Sequence, residues 1–283
     1  MKIRMKVVVS ILLLSVTAHG CGDDPDQGEF FLLTYNVAGL PEPLSGSSPS
    51  VNNPQISPML NAYELVLVQE DFWYHHELVA QVDHPYRSRP MWEQPGLLRM
   101  GDGLNRFSVF PLGELTRVTW IECNGALNCD SDCLTTKGFS VSAIELADGL
   151  VVDVYNLHMD AGGCDGDIHA RGVQTEQLLE RIRTHSAGKA VIVAGDTNLK
   201  RSRPDDVESL EHLLSEASMR EACLFLDCEQ ETHDRVMFRG SDSVSLVPLS
   251  WAHPPQFVDA EGHDLSDHKP VAVRFHWEET PVR

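Results

Sequence analysis

Four stretches of this 283-residue chain place an acid, an amide or an imidazole where an apolar run would give way to a loop. They are Thr34-Tyr35-Asn36-Val37, Val68-Gln69-Glu70, the run from Ala190 to Gly195 followed by Asp196 and Asn198, and Ser266-Asp267-His268-Lys269-Pro270-Val271 at the entry to the last run. Strand-like runs, several of them β-branched or alternating, are Phe30–Ala38, Glu64–Glu70, Asn105–Pro111, Gly138–Leu146, Leu150–His158, Ala190–Gly195, Asp234–Arg239 and Lys269–Phe275. Two helices are predicted. One carries Val207, Leu210, Leu214 and Ala217 behind Pro204, with Asp205 and Asp206 where a helix dipole welcomes negative charge. The other runs from about Ile168 to His185, with Leu178, Leu179 and Ile182 as its apolar side. Strands interleaved with helices in one domain predict two sheets packed face to face, helices outside.

The N-terminus reads as an export signal. Lys2, Arg4 and Lys6 precede the apolar stretch Val7 to Val16, which is far shorter than the ~20 residues that cross a bilayer. Ala18-His19-Gly20-Cys21 then suggests lipoprotein processing, giving a signal over residues 1–20, a lipidated Cys21, a tether over 22–29 and a domain over 30–277. Removing Cys21 from the seven cysteines leaves an even set, Cys123, Cys129, Cys133, Cys164, Cys223 and Cys228, as disulfides in an exported chain require. The expected pairs are Cys223 with Cys228, Cys133 with Cys164, and Cys123 with Cys129. A zinc site on Cys123, Cys129 and Cys133 lacks a CxxC pair or a nearby histidine.

Formal charge is −20, or −23 once Lys2, Arg4 and Lys6 are lost. Nucleic-acid affinity is mostly phosphate neutralisation, so this balance disfavours nucleic acid as a partner without excluding it, because a divalent metal supplies positive charge locally.

The four stations, in this order, resemble the endonuclease/exonuclease/phosphatase superfamily, Mg²⁺-dependent phosphodiesterases and phosphatases of deoxyribonuclease-I-like fold. The resemblance implies an α/β, four-layered sandwich of two packed mixed β-sheets with flanking helices, its site at one end where strand ends meet. Within that superfamily, Asp132-Cys133-Leu134-Thr135-Thr136-Lys137-Gly138-Phe139, the strand end Asn156-Leu157-His158, and Arg171 with Gln174 are similar to bacterial neutral sphingomyelinases.

Hydrolysing a phosphodiester needs charge neutralised at phosphorus, a nucleophilic water and a proton for the leaving oxygen. The resemblance implies Glu70 as a Mg²⁺ ligand, with Asn36 beside it and Asp267 supporting the metal or the attacking water. One or two carboxylates suffice, since Mg²⁺ prefers oxygen and keeps several waters. His268 is the expected general base, its pKa lying near neutrality. It would be oriented by Asp234, although the usual pattern has an apolar residue where His233 stands. Asp196 would orient the nucleophile and Asn198 would donate to phosphate, both on one face of an extended segment; Gly-Asp-Thr-Asn is equally good turn chemistry. His158 is expected to contact phosphate or protonate the leaving group. After it comes Met159-Asp160-Ala161, where sphingomyelinases have Leu-Gln-Ala, so Asp160 adds negative charge beside an anionic substrate.

The expected partner is a phosphodiester substrate, with a sphingomyelin or related phospholipid head group leading. A membrane surface is a further candidate, through apolar tips at Trp251, Pro254, Pro255 and Phe257 or at Met91 and Trp92. Arg201, Arg203, Arg235 and Arg239 could grip a single phosphate. His75, His76, His84 and His169 are expected at the surface, among 13 scattered histidines. The rival readings are a secreted nuclease and a lipid-anchored binding protein that has kept the fold without turnover.

Overall fold

The computed structural model describes residues 26–42, 44–91, 100–126, 129, 132–228 and 232–280. The expected signal, Cys21 and Trp92 lie outside them. Two six-stranded mixed sheets form the centre. The first has strand order β11 (Val244–Ala252), β12 (Val271–Glu279), β1 (Gln27–Asn36), β2 (Leu65–Gln69), β4 (Asn105–Ser108), β3 (Tyr86–Arg87). The second has β5 (Thr116–Thr119), β6 (Gly138–Ala147), β7 (Leu150–His158), β8 (Ala190–Asp196), β10 (Asp234–Arg239), β9 (Arg220–Glu221). Each sheet holds one parallel pair, β1 with β2 and β7 with β8, and every other ladder is antiparallel. This is the expected four-layered α/β sandwich.

Side chains alternate along a strand, so each sheet has an inner and an outer set. The inner set, Phe30, Leu32, Leu65, Leu67, Val152, Val154, Ile192, Ala194, Val236, Phe238, Val273 and Phe275, forms the core between the sheets. On the outer face of the second sheet, Tyr155, Leu157, Val191 and Val193 pack against Leu178, Leu179 and Ile182 of α3 (Asp165–His185) and Leu210 and Leu213 of α4 (Pro204–Glu216). The outer face of the first sheet packs Leu33, Tyr35, Val66 and Val68 against Ile56 of α1 (Pro49–Met59) and Leu78 of α2 (His75–Leu78).

Going two residues at a time toward one end, the inner set turns polar: Thr34 and Asn36 on β1, Gln69 on β2, Asn156 and His158 on β7, Asp196 on β8. All six are buried. Several of their groups bond one another across the sheets. Gln69 Nε2 donates to Thr34 Oγ1 (3.0 Å) and Asn156 Oδ1 (2.7 Å), and Asn156 Nδ2 donates to the carbonyls of Val68 (3.0 Å) and Asn105 (3.1 Å). The parallel pairs end level, Asn36 opposite Gln69 and His158 opposite Asp196, and antiparallel β10 starts beside them with Asp234 opposite Asp196.

Several sequence expectations shift. β1 begins at Gln27, so the last residues of the expected tether already pair with β12. The last strand begins at Val271, which leaves Asp267 and His268 in a loop. Helix α1 and strand β11 were not expected: α1 contains Pro54 and Pro58, and β11 contains Pro248, where its register with β12 shifts before Ser250. Phe257 is buried, its ring 5.2 Å from that of Tyr35, and Trp251 packs on the inter-sheet core, so neither makes an apolar tip. His75 and His84 are buried, bonded to Asp71 (2.6 Å) and to the Tyr63 carbonyl (2.7 Å), rather than at the surface.

The disulfides are Cys123–Cys133, Cys129–Cys164 and Cys223–Cys228. Only the last matches the expected pairing. The other two interleave and tie the loop before β6 to the residue preceding α3, a contact between segments that sequence spacing does not reveal. Closing longer loops removes more unfolded-state entropy, so replacing Cys129 and Cys164 by serine should cost about 3–4 kcal/mol and replacing Cys223 and Cys228 less. Denaturant unfolding of the two double variants, with peptide mapping under non-reducing conditions, checks both the pairing and the order.

Candidate active site

Asn36, Glu70, His158, Asp196, Asp234 and His268 converge at the polar end of the sandwich. Asp196 Oδ2 is the meeting point: Asn36 Nδ2 donates to it (3.2 Å), and the Nε2 atoms of His158 and His268 lie 3.3 and 3.7 Å away. Asn36 Nδ2 also donates to Glu70 Oε1 (2.9 Å). By strand alternation Glu70 would point away from Gln69's face. It instead adopts φ +55°, which ends the strand and brings its carboxylate back to Asn36. Hydrogen bonds from Gly39 N (3.0 Å) and Phe72 N (2.8 Å) to its carbonyl hold that left-handed turn.

His268 Nδ1 pairs with Asp234 Oδ2 at 2.9 Å, leaving Nε2 toward Asp196. Ser266 Oγ donates to the Asn36 carbonyl (2.7 Å), which docks the 266–268 loop onto the end of β1. Burial pulls the His268 pKa down, but Asp196 and Asp234 outweigh it and push the value up to about 10. Burial, followed by the charge of Lys137, holds His158 well below the ordinary imidazole value. Burial also raises Glu70, although Lys137 and Asn36 oppose it.

Two expected site residues are placed differently from the sequence reading. Asn198 is not on one face of an extended segment with Asp196. β8 ends at Asp196, whose Oδ1 accepts from Asn198 N (3.1 Å), and Asn198 has φ +51° with its Nδ2 bonded to the Met159 carbonyl (3.1 Å). The segment therefore turns at Asp196 rather than continuing extended. Asp267 is exposed, and its Oδ2 lies so close over Gly46 that a Cβ there would sit 2.5 Å away. It borders the Asn36–Glu70 pair, and its charge raises the pKa of both Glu70 and His268.

The four arginines proposed to grip phosphate are committed to the scaffold. Arg235 donates to Glu221 and to the Leu199 carbonyl, Arg239 to the carbonyls of Ala217, Ser186 and Lys189, Arg201 to Glu221, and Arg203 to the Gly162 carbonyl. Arg171 and Gln174 organise the loop after His158. Arg171 binds the carbonyls of Asp160, Ala161 and Gly162, and Gln174 binds both the backbone and the carboxylate of Asp160.

Lys137 is the site residue that sequence reasoning did not assign. Its Nζ donates to Asp132 Oδ1 (2.5 Å) and the Met159 carbonyl (3.3 Å), and it lines a cleft of about 400 Å³ with Glu70, Leu40, Leu44, Phe72, Met100 and Leu134. A lone lysine directly before β6, in a chain short of cations, was the available signal.

No family model matches the chain. It is 36% identical over 278 residues to the sphingomyelinase of Mycobacterium tuberculosis, covering 90% of this chain and 54% of that protein. The chain therefore spans about half the length of the curated relatives it matches. Solved structures with the same fold include sphingomyelinase C from Streptomyces griseocarneus (TM-score 0.64, 17% identity, 90% of this chain and 100% of that one). Staphylococcus aureus beta toxin, a double mutant with bound magnesium ions, gives 0.64 at 16% identity, covering 87% and 99%. D. rerio TDP2 complexed with a single-strand DNA product gives 0.64 at 15% identity, covering 87% and 98%.

Asp160 gives a pH test of this end of the molecule. Burial, then the charge of Asp132, raises its pKa from 3.8 to about 6. A raised carboxyl favours folding while protonated, and that contribution is lost as pH rises through the folded value. The melting temperature of Asp160→Asn minus that of the wild type should therefore increase between about pH 4 and pH 6 and level off above that. A flat difference would show that Asp160 does not titrate there.

Proposed function

We propose, on the similarity to mycobacterial sphingomyelinases and the fold shared with sphingomyelinase C, that the protein is an exported, Mg²⁺-dependent phosphodiesterase whose substrate is sphingomyelin or a related phospholipid. The observation that carries the reading is the bridge of Asn36 Nδ2 between Glu70 and Asp196, with the Asp234–His268 pair alongside.

The residues fit a hard divalent ion. Glu70 is a carboxylate with a burial-raised pKa and one recorded side-chain donor, Asn36, so a cation would relieve its desolvation. The oxygen donors of Glu70 and Asn36, with Asp267 bordering them, suit Mg²⁺. Bound there, Mg²⁺ would neutralise charge at phosphorus, and its field would favour the neutral form of His268 between turnovers.

Asp234 fixes the His268 ring through Nδ1, so Nε2 is the atom that takes the proton of the attacking water. Asp196 stabilises the imidazolium that results, and its two-sided contact with Asn36 and His158 keeps the carboxylate from rotating away. His158, held neutral, donates a hydrogen bond to phosphate more readily than it stores a proton. Lys137 adds positive charge where the arginines do not. The apolar wall of the adjoining cleft, Leu40, Leu44, Phe72 and Leu134, suits a lipid substituent rather than a nucleotide.

Three disulfides support an oxidising compartment and hence export. Cell-surface anchoring through Cys21 belongs to the same proposal. Among the described residues, no helix is long and apolar enough to cross a membrane.

The test is Mg²⁺-dependent release of phosphocholine from sphingomyelin vesicles, run beside plasmid DNA. Lipid hydrolysis is expected, falling about 10²–10⁴-fold in His268→Ala, as loss of a general base does. Glu70→Gln should lose Mg²⁺ activation. DNA cleavage alone would replace the lipid reading with the nuclease one. Activity on neither would favour a binding role.

A further inference from the structure

Three arginines that the hydrolytic scheme does not use line one cavity, in a chain whose acids outnumber its basic residues 42 to 22. The cavity, about 530 Å³, opens where β3 and β4 at the edge of the first sheet share a space with the approach to β5 in the second. Arg87 belongs to β3, Arg89 follows it, and Arg106 belongs to β4. No acid is among the lining residues, and none of them lines the cleft beside Glu70.

Arg106 is the unusual member. It is 1% exposed, yet its guanidinium donates only to neutral oxygens: the carbonyls of Val154 and Ser140 (each 3.0 Å) and Ser140 Oγ (2.7 Å). Its Nε is buried and has no partner among the described residues. Burial, then the charge of Arg117, pushes its pKa down to about 9, with Asp102 opposing. Arg117 already holds Asp102 through both carboxylate oxygens (2.6 and 2.7 Å). The three bonds tie the sheets together but leave a buried positive charge uncompensated, and such charges ordinarily persist only when paired.

The other two arginines add to that charge. Arg87 is bound through Nε to the His84 carbonyl (2.8 Å) and through Nη2 to that of Val82, which leaves Nη1. The exposed side chain of Arg89 makes no hydrogen bond among the described residues; its carbonyl accepts from Arg117 (2.7 Å). Like charges gathered in one space repel, and an anion between them makes the interaction favourable.

We propose that Arg87, Arg89 and Arg106 form a binding site for a phosphate-type oxyanion, separate from the hydrolytic site. Guanidinium N–H groups match phosphate oxygens in geometry and charge. Arg106 Nε supplies the donor at the buried end, and Arg87 Nη1 with Arg89 supplies donors at the exposed rim. The same chemistry is offered by a soluble phosphate ester and by an anionic lipid head group. The site stands on its own residues and does not depend on the phosphodiesterase reading.

The experiment titrates the oxidised protein with inorganic phosphate in EDTA, by calorimetry and by thermal melts, for wild type, Arg89→Glu, Arg106→Met and His268→Ala. One equivalent is expected in wild type and in His268→Ala, with a melting temperature that rises with phosphate, since the ligand binds only the folded state. Binding at least tenfold weaker is expected in Arg89→Glu and Arg106→Met. Arg106→Met also loses the tie between sheets, so the exposed Arg89→Glu decides if that variant does not fold. Equal affinity in wild type and Arg89→Glu, or no binding by wild type, would overturn the site. Binding lost in His268→Ala but kept in Arg89→Glu would place the anion in the hydrolytic cluster and overturn it as well. Cosedimentation with phosphatidylcholine vesicles, with and without phosphatidylglycerol, separates the two sources. Retention on the anionic vesicles that Arg89→Glu abolishes upholds the site as one for a lipid head group, and phosphate binding without retention upholds it as one for a soluble phosphate.

Discussion

The carboxylate of Asp196 is the contact on which the rest of the site depends. It belongs to one sheet and takes a hydrogen bond from Asn36 of the other, so the two layers are tied at the end where polar groups replace the apolar core. Burial would raise its pKa, but His158, His268, His233 and Lys137 together drive it well below the ordinary carboxylate range. A fixed negative charge results, surrounded by imidazoles on one side and by the amide that leads to Glu70 on the other. Buried charges persist in this way only when paired and hydrogen-bonded.

The same end of the sandwich explains why the core can be dry in the middle and reactive at the rim. Inner-face positions change from Phe30 and Leu32 to Thr34 and Asn36 along β1, and from Val152 and Val154 to Asn156 and His158 along β7. Gln69 Nε2 donates to Asn156 Oδ1, and Asn156 Nδ2 donates to the Val68 and Asn105 carbonyls, which meets the donors of both buried amides; Gln69 Oε1 makes no hydrogen bond among the described residues. Arg106 extends this polar layer, donating to the Val154 carbonyl (3.0 Å) and to Ser140 across the gap.

Cations are scarce in this chain, and the scaffold uses most of those near the site. Arg171, Arg201, Arg203, Arg235 and Arg239 organise loops and strand ends through carbonyls and acids. Lys137 is left close to Glu70, within a loop bound by two interleaved disulfides. On the proposed reading, an anionic substrate would meet little positive charge from the protein itself, which fits chemistry that draws on a divalent ion.

The fold and most of the site were legible because strand period and strand ends are local features. The apolar runs located the central strands, and acids, amides and imidazoles at their ends marked Asn36, Glu70, His158, Asp196 and His268. Helix α1 was hidden by its internal prolines and β11 by Pro248. The Cys123 and Cys129 pairings were hidden because spacing along the chain says nothing about which loops meet. The sequence by itself determined the alternation that sends these residues to one inner end of two sheets. Only the tertiary structure decided that Asn198 turns back to Met159, that Asp267 lies over Gly46, and that His233 faces His268. Those placements depend on left-handed turns and loop docking, where a backbone angle rather than a strand period sets the direction of a side chain.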